Sequence, residues 1–111
     1  MLSYEAAYTL YWEISEKAAE STIEGFEKLY QRFLKTAVNY AKTRADWTFH
    51  DSLTRRELDT SRSIEHDAFM SLLSAVCRNL EIKNYEEITP DRKTKGDFAC
   101  YLSLFLALEQ R

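Results

Sequence analysis

The chain has 111 residues, 45% of them hydrophobic, 14% aromatic and 30% charged, with a formal net charge of −3. That content excludes a disordered chain, and the length suits a single domain, residues 1–111, around one core. Two glycines and one proline are too few for the tight turns of a sandwich or barrel, so few, long helices are expected.

The first helix is predicted to begin near Ser3, a fair N-cap. Ala7, Leu10, Tyr11, Ile14 and Ala18 form its apolar line. Tyr4, Tyr8 and Trp12 form a second line on an adjoining face. Two adjoining apolar lines imply burial against more than one neighbour, and one neighbour can be another chain. The opening "MLSYEAAYTLYWE" lacks a basic leader and meets Glu5 early, unlike a secretory signal.

The second helix, capped by Ser21 or Thr22, carries Ile23, Phe26, Tyr30, Phe33, Ala37, Tyr40, Arg44 and Trp47 at 3-4-3-4 spacing. This is bundle or short coiled-coil geometry. Residues 47–61, "WTFHDSLTRRELDTS", fit either a short helix capped by Ser52 or a loop. A third helix is expected from about Ser61 to Leu80, with Arg62, His66, Phe69, Leu73, Val76 and Leu80 on one line. Asp67 points about 100° away and starts another line through Ser71, Ser74 and Arg78. Thr89-Pro90 suits the start of a short helical turn.

The fourth helix, from Gly96 or Asp97 to the C-terminus, is apolar on almost every side, which predicts a central position. Its run "FACYLSLFLAL" at 98–108 is too short to span a bilayer, so no membrane association is expected. Small residues at Gly96, Ala99/Cys100, Ser103 and Ala107, and at Ser71, Ser74 and Ala75, predict close packing of the third and fourth helices. The predicted fold is all-α, a bundle of four main helices with room for a short fifth.

Cys77 and Cys100 lack CxxC spacing and sit among apolar residues, so they read as buried hydrophobes of a reducing cytoplasm. Charge divides along the chain: residues 1–30 hold six acids against Lys17 and Lys28. Residues 31–62 hold seven basic residues against four acids. Such segments can attract each other within or between chains, but the basic excess is too small for nucleic-acid binding.

Arg62 and His66 head an apolar seam, where an unpaired charge costs several kcal/mol. Asp67 and Asp97 are the candidate acceptors, giving a buried Arg–Asp–His network that fixes helix register. The pairing with Asp97 requires the fourth helix to start beside His66, which the sequence leaves open. "FHD" at 49–51, "EHD" at 65–67 and Asp97 superficially resemble the ligand set of metal-dependent phosphohydrolases, which need a larger helical core. No Glu-x-x-His or His-Glu-x-x-His motif is present, so no metal or other cofactor is expected. Arg92, Lys93 and Lys95 precede the fourth helix as a basic loop able to meet a phosphate, against which Asp97 sets a negative charge.

"R-SIE-HDAFMSLLSAVCRNL" and "DRKTKGDFACYLSLFLALEQR" resemble a small uncharacterised all-helical family of Gram-positive bacterial proteins, a domain of unknown function. The matching positions are Arg62, His66, Asp67, Arg78, Asp91, Arg92, Lys93 and Gly96 to Tyr101, so the resemblance covers about residues 61–111. It implies that Arg62, His66 and Asp97 belong to one constellation, and it implies no activity.

The function expected is that of a non-catalytic, self-associating interaction protein, most simply a two-fold homodimer, with a further protein partner conceivable. The alternative is a small enzyme or an anion- or metal-binding protein using Arg62, His66, Asp67, Arg92 and Asp97.

Overall fold

A computed structural model describes the backbone of residues 3–49, 52–82 and 92–108, and the side chains of 4–45, 59–82 and 98–108. Four helices make up the fold: α1 (Ser3–Glu20), α2 (Phe26–Phe49), α3 (Ser52–Asn79) and α4 (Arg92–Leu108). The protein is an all-α bundle, with no strand among the described residues. No described helix is long and apolar enough to cross a membrane.

Helical spacing of the apolar residues becomes one buried cluster. Leu10 and Ile14 of α1, Phe33, Ala37 and Tyr40 of α2, Phe69, Leu73 and Val76 of α3, and Phe98, Leu102 and Leu106 of α4 are all at most 1% exposed. Each set repeats at three- and four-residue intervals, so each helix turns one continuous face inward. Ser103, the one buried polar residue among the described side chains, is satisfied by donating to the Cys100 carbonyl at 2.8 Å.

Helix ends differ from the sequence expectation for local reasons. Gly25 adopts φ 82°, a left-handed conformation that glycine enters without a Cβ clash. It closes a turn in which the Phe26 amide donates to the Ile23 carbonyl at 3.1 Å. Helix α2 therefore starts at Phe26, and Ile23, expected in its seam, is 48% exposed. Of the ambiguous stretch 47–61, residues 47–49 end α2 and those from Ser52 belong to α3, which runs for 28 residues. Helix α4 begins at Arg92, earlier than expected, and carries Gly96 inside it. The short turn expected at Thr89-Pro90 lies outside the described residues.

The C-terminus of α3 is closed by a Schellman motif. The Ile82 amide donates to the Cys77 carbonyl at 2.8 Å and the Glu81 amide to the Arg78 carbonyl at 3.3 Å. Ile82 then tucks into the core at 6% exposure. Glu81 holds the left-handed position at φ 59°, where a side chain costs about 1 kcal/mol.

Ring contacts fix the helix directions. Phe33 stacks on Phe69 at 5.4 Å, and Tyr40 meets both Phe69 and His66, so α2 and α3 are antiparallel. Tyr4 meets Tyr101 and Phe105, while Tyr8 and Tyr11 meet Phe105, so α1 and α4 run the same way. The C-terminal ends of α1 and α3 share one cleft, lined by Lys17, Glu20, Asn79 and Leu80. Helices α1, α3 and α4 therefore point in one direction and α2 in the other.

Among the described residues the packed pairs are α2 with α3, α1 with α4, and α2 with α4. Helix α4 is central in the sense that it packs on two helices, and α3 and α4 stand diagonally across the bundle. Their expected close packing is not found. Ala99 and Ser103 are buried, but Ser71 is exposed on the side that α3 turns toward α2. Small residues permit close approach, and the bulk of Phe33, Tyr40 and Phe69 decides that α3 spends its seam on α2.

Candidate functional site

The sequence singled out Arg62, His66, Asp67, Arg92 and Asp97. The side chains of Arg92 and Asp97 lie outside the described residues, as do His50 and Asp51 of the first His-Asp pair. Arg62 is drawn to Asp59, one turn upstream, donating to its Oδ1 from Nη2 at 2.8 Å and from Nε at 3.2 Å. The sequence reading missed Asp59, although an aspartate three residues before an arginine on a helix is a readable pairing signal. Asp59 is 54% exposed and Arg62 27%, so this pair contributes well under 1 kcal/mol after solvent screening.

His66 Nδ1 lies 3.4 Å from Asp67 Oδ1, a long contact for a hydrogen bond. The Asp67 side chain is 84% exposed. The imidazole also makes an edge-to-face contact with Tyr40 at 5.4 Å. Among the described residues, Arg62 pairs with Asp59 and His66 lies beside Asp67, all on α3; the expected pairing of this cluster with Asp97 falls outside the described residues. No group of three or more metal-ligating side chains occurs among the described residues.

Cys77 is fully buried on α3. Burial pushes its thiol up from 9.0 to about 12; the nearby Glu13 carboxylate adds to the rise and Lys17 offsets part of it. Such a thiol is protonated at neutral pH and inert as a nucleophile.

A different surface gathers large side chains without covering them. On α1, Tyr4, Tyr8 and Trp12 recur every fourth residue and point the same way. On α4, Tyr101, Leu104, Phe105 and Leu108 share one face. Because α1 and α4 run side by side in the same direction, the two rows merge. Tyr8 stacks with Tyr4 at 6.4 Å and meets the Trp12 edge at 6.2 Å. Phe105 sits at the centre, 5.4 Å from both Tyr4 and Tyr8 and 5.8 Å from Tyr11. Tyr4, Tyr8, Trp12, Tyr101, Leu104 and Leu108 remain 39–54% exposed. Between Phe98 and Leu108 the helix carries no charge, while acids of α1 flank the face at Glu5 and Glu16.

The sequence found the α1 half of this face and missed the α4 half. The signal was present: an apolar helix in a four-helix bundle can bury only part of its circumference, so some of its leucines and tyrosines had to face out. No family model, curated protein or solved structure matches the chain.

Proposed function

We propose that this is a non-catalytic, self-associating interaction protein of the cytoplasm, dimerising through the α1/α4 face about a two-fold axis. The observation that carries this reading is the merged row of exposed aromatic and leucine side chains. At 39–54% exposure, six such residues present on the order of 600 Å². That is at the upper limit of the largest apolar patch on ordinary monomers, ~300–600 Å². It is also most of the ~800 Å² that each partner contributes to a standard interface, leaving the rim to neighbouring residues. Tyrosine and tryptophan are the residue types that concentrate binding energy at such surfaces. The uncharged α4 side suits the dyad, where each residue meets its own copy, and the acids of α1 suit the rim. The resemblance of residues 61–111 to a Gram-positive bacterial family belongs to this proposal as well.

Sedimentation velocity across micromolar concentrations tests it. The wild type is expected to shift from monomer to dimer below about 100 µM. Trp12→Arg and Leu104→Arg are expected to remain monomeric with unchanged far-UV circular dichroism. A wild type that stays strictly monomeric over that range overturns the proposal.

A further inference from the structure

Helix α2 carries a second unpartnered feature on the opposite side of the bundle. Lys28, Arg32, Lys35 and Lys42 recur at four-, three- and seven-residue intervals, and all four are exposed. Asn39 fills the intervening position. One face of α2 is therefore a basic stripe roughly 21 Å long, at about 1.5 Å per residue. Ion pairs among the described residues join Lys17 to Glu13 and Arg62 to Asp59, and His66 lies beside Asp67. None involves the stripe. Among the described residues no ion pair joins the acids of α1 to this stripe, because α1 packs on α4 and stands diagonally across the bundle from α2.

Beside the stripe, α2 and α3 leave an open groove of about 480 Å³. Arg32, Lys35 and Asn39 line its α2 side, and Ala68, Ser71 and Leu72 its α3 side. Leu72 and Ala68 are half-buried and give it an apolar floor. A row of cations beside an apolar-floored groove between two helices has the form of a helix-in-groove receptor.

We propose that this groove docks an acidic amphipathic helix from a partner protein, with leucine-sized side chains on Leu72 and Ala68 and carboxylates along Arg32 and Lys35. Charge complementarity selects this occupant. A nucleic-acid backbone would meet the same cations, but the chain as a whole carries −3, and Asp67 stands exposed one turn before Ser71 on α3. An apolar floor is also of no use to a phosphate chain. The groove and the α1/α4 face are on opposite sides of the bundle, so both can be occupied together, and a dimer presents two grooves.

The probe is a labelled synthetic helix of about four turns, with leucines along one face and glutamates flanking them, followed by fluorescence anisotropy. The wild type is expected to bind it at micromolar concentration, more weakly as salt rises. A glutamine version of the peptide, or the Arg32→Glu/Lys35→Glu protein, is expected to bind at least ten-fold more weakly. Ser71→Trp, which fills the groove without changing charge, should block it too. Trp12→Arg protein should bind as the wild type does, which separates this proposal from the dimer. The proposal fails if the glutamate peptide does not bind, or binds no better than its glutamine version. It also fails if the double charge reversal has no effect, or if a DNA duplex of similar length binds more tightly. Dissociation of the dimer by Arg32→Glu/Lys35→Glu would mean that a second copy fills the groove, and would likewise overturn a separate partner.

Discussion

Replacing Phe69 by alanine isolates the contact that decides this bundle's topology. Phe69 is fully buried and its ring stacks on two rings of α2, with Phe33 at 5.4 Å and 11° and Tyr40 at 5.8 Å and 17°. Truncating a buried phenylalanine costs about 3–5 kcal/mol, from lost transfer energy and the cavity left behind. Stacked pairs add about 0.5–1.5 kcal/mol beyond area, so a residue with two of them belongs near the upper limit. The expected loss is about 4–5 kcal/mol, against a total stability of roughly 6–16 kcal/mol for a chain of this length. Urea unfolding followed by far-UV circular dichroism measures it. Fixed protein concentration in the Trp12→Arg background removes any contribution from association. The double mutant with Phe33→Ala should lose less than the sum of the two single losses, by about 1 kcal/mol. A loss under about 2 kcal/mol with an unchanged denaturant slope would refute the reasoning, since α2 and α3 would then not depend on this stack.

Three other perturbations test local arguments. Glu81→Gly relieves the left-handed residue of the α3 cap and is expected to raise stability by up to about 1 kcal/mol, after the entropy glycine adds to the unfolded chain; thermal unfolding checks it, and a lower midpoint contradicts it. Cys77 contributes stability that is fully present below pH 9.0, where both states hold the proton, and is lost as pH rises toward about 12. Between pH 8 and 10 the wild type should therefore lose about 1.4 kcal/mol more than Cys77→Ala, and its thiol should resist labelling until the protein unfolds. His66→Ala should cost only about 0.5–1 kcal/mol, for the lost Tyr40 contact. Losses of about 2 kcal/mol or more there would instead support the expected buried polar network, in which removing one partner strands the other.

The site is only half legible in the sequence. Tyr4, Tyr8 and Trp12 stand out because a four-residue repeat of aromatics beside an already complete core line has no use within one helix. Tyr101, Leu104 and Leu108 do not stand out, because an all-apolar helix looks buried until its neighbours are known. The α2 basic stripe shows as a charge-rich segment, yet whether its cations are paired depends on which helix lies beside them.

Helices and their inward faces follow from the sequence alone. Backbone hydrogen bonding within a helix is local, and apolar spacing near 3.6 residues defines one face whatever that face later meets. The scarcity of glycine and proline sets the element type, and the seams of α2 and α3 name Phe33, Tyr40, Phe69 and Leu73 in advance. Partnership is another matter. Arg62 takes Asp59 and His66 takes Tyr40, and α3 pairs with α2 while α4 lies between α1 and α2. These choices depend on side-chain volumes filling a shared interior and on charges finding the nearest solvated acceptor. Both are properties of residues distant in sequence, so they are settled only when the four helices assemble.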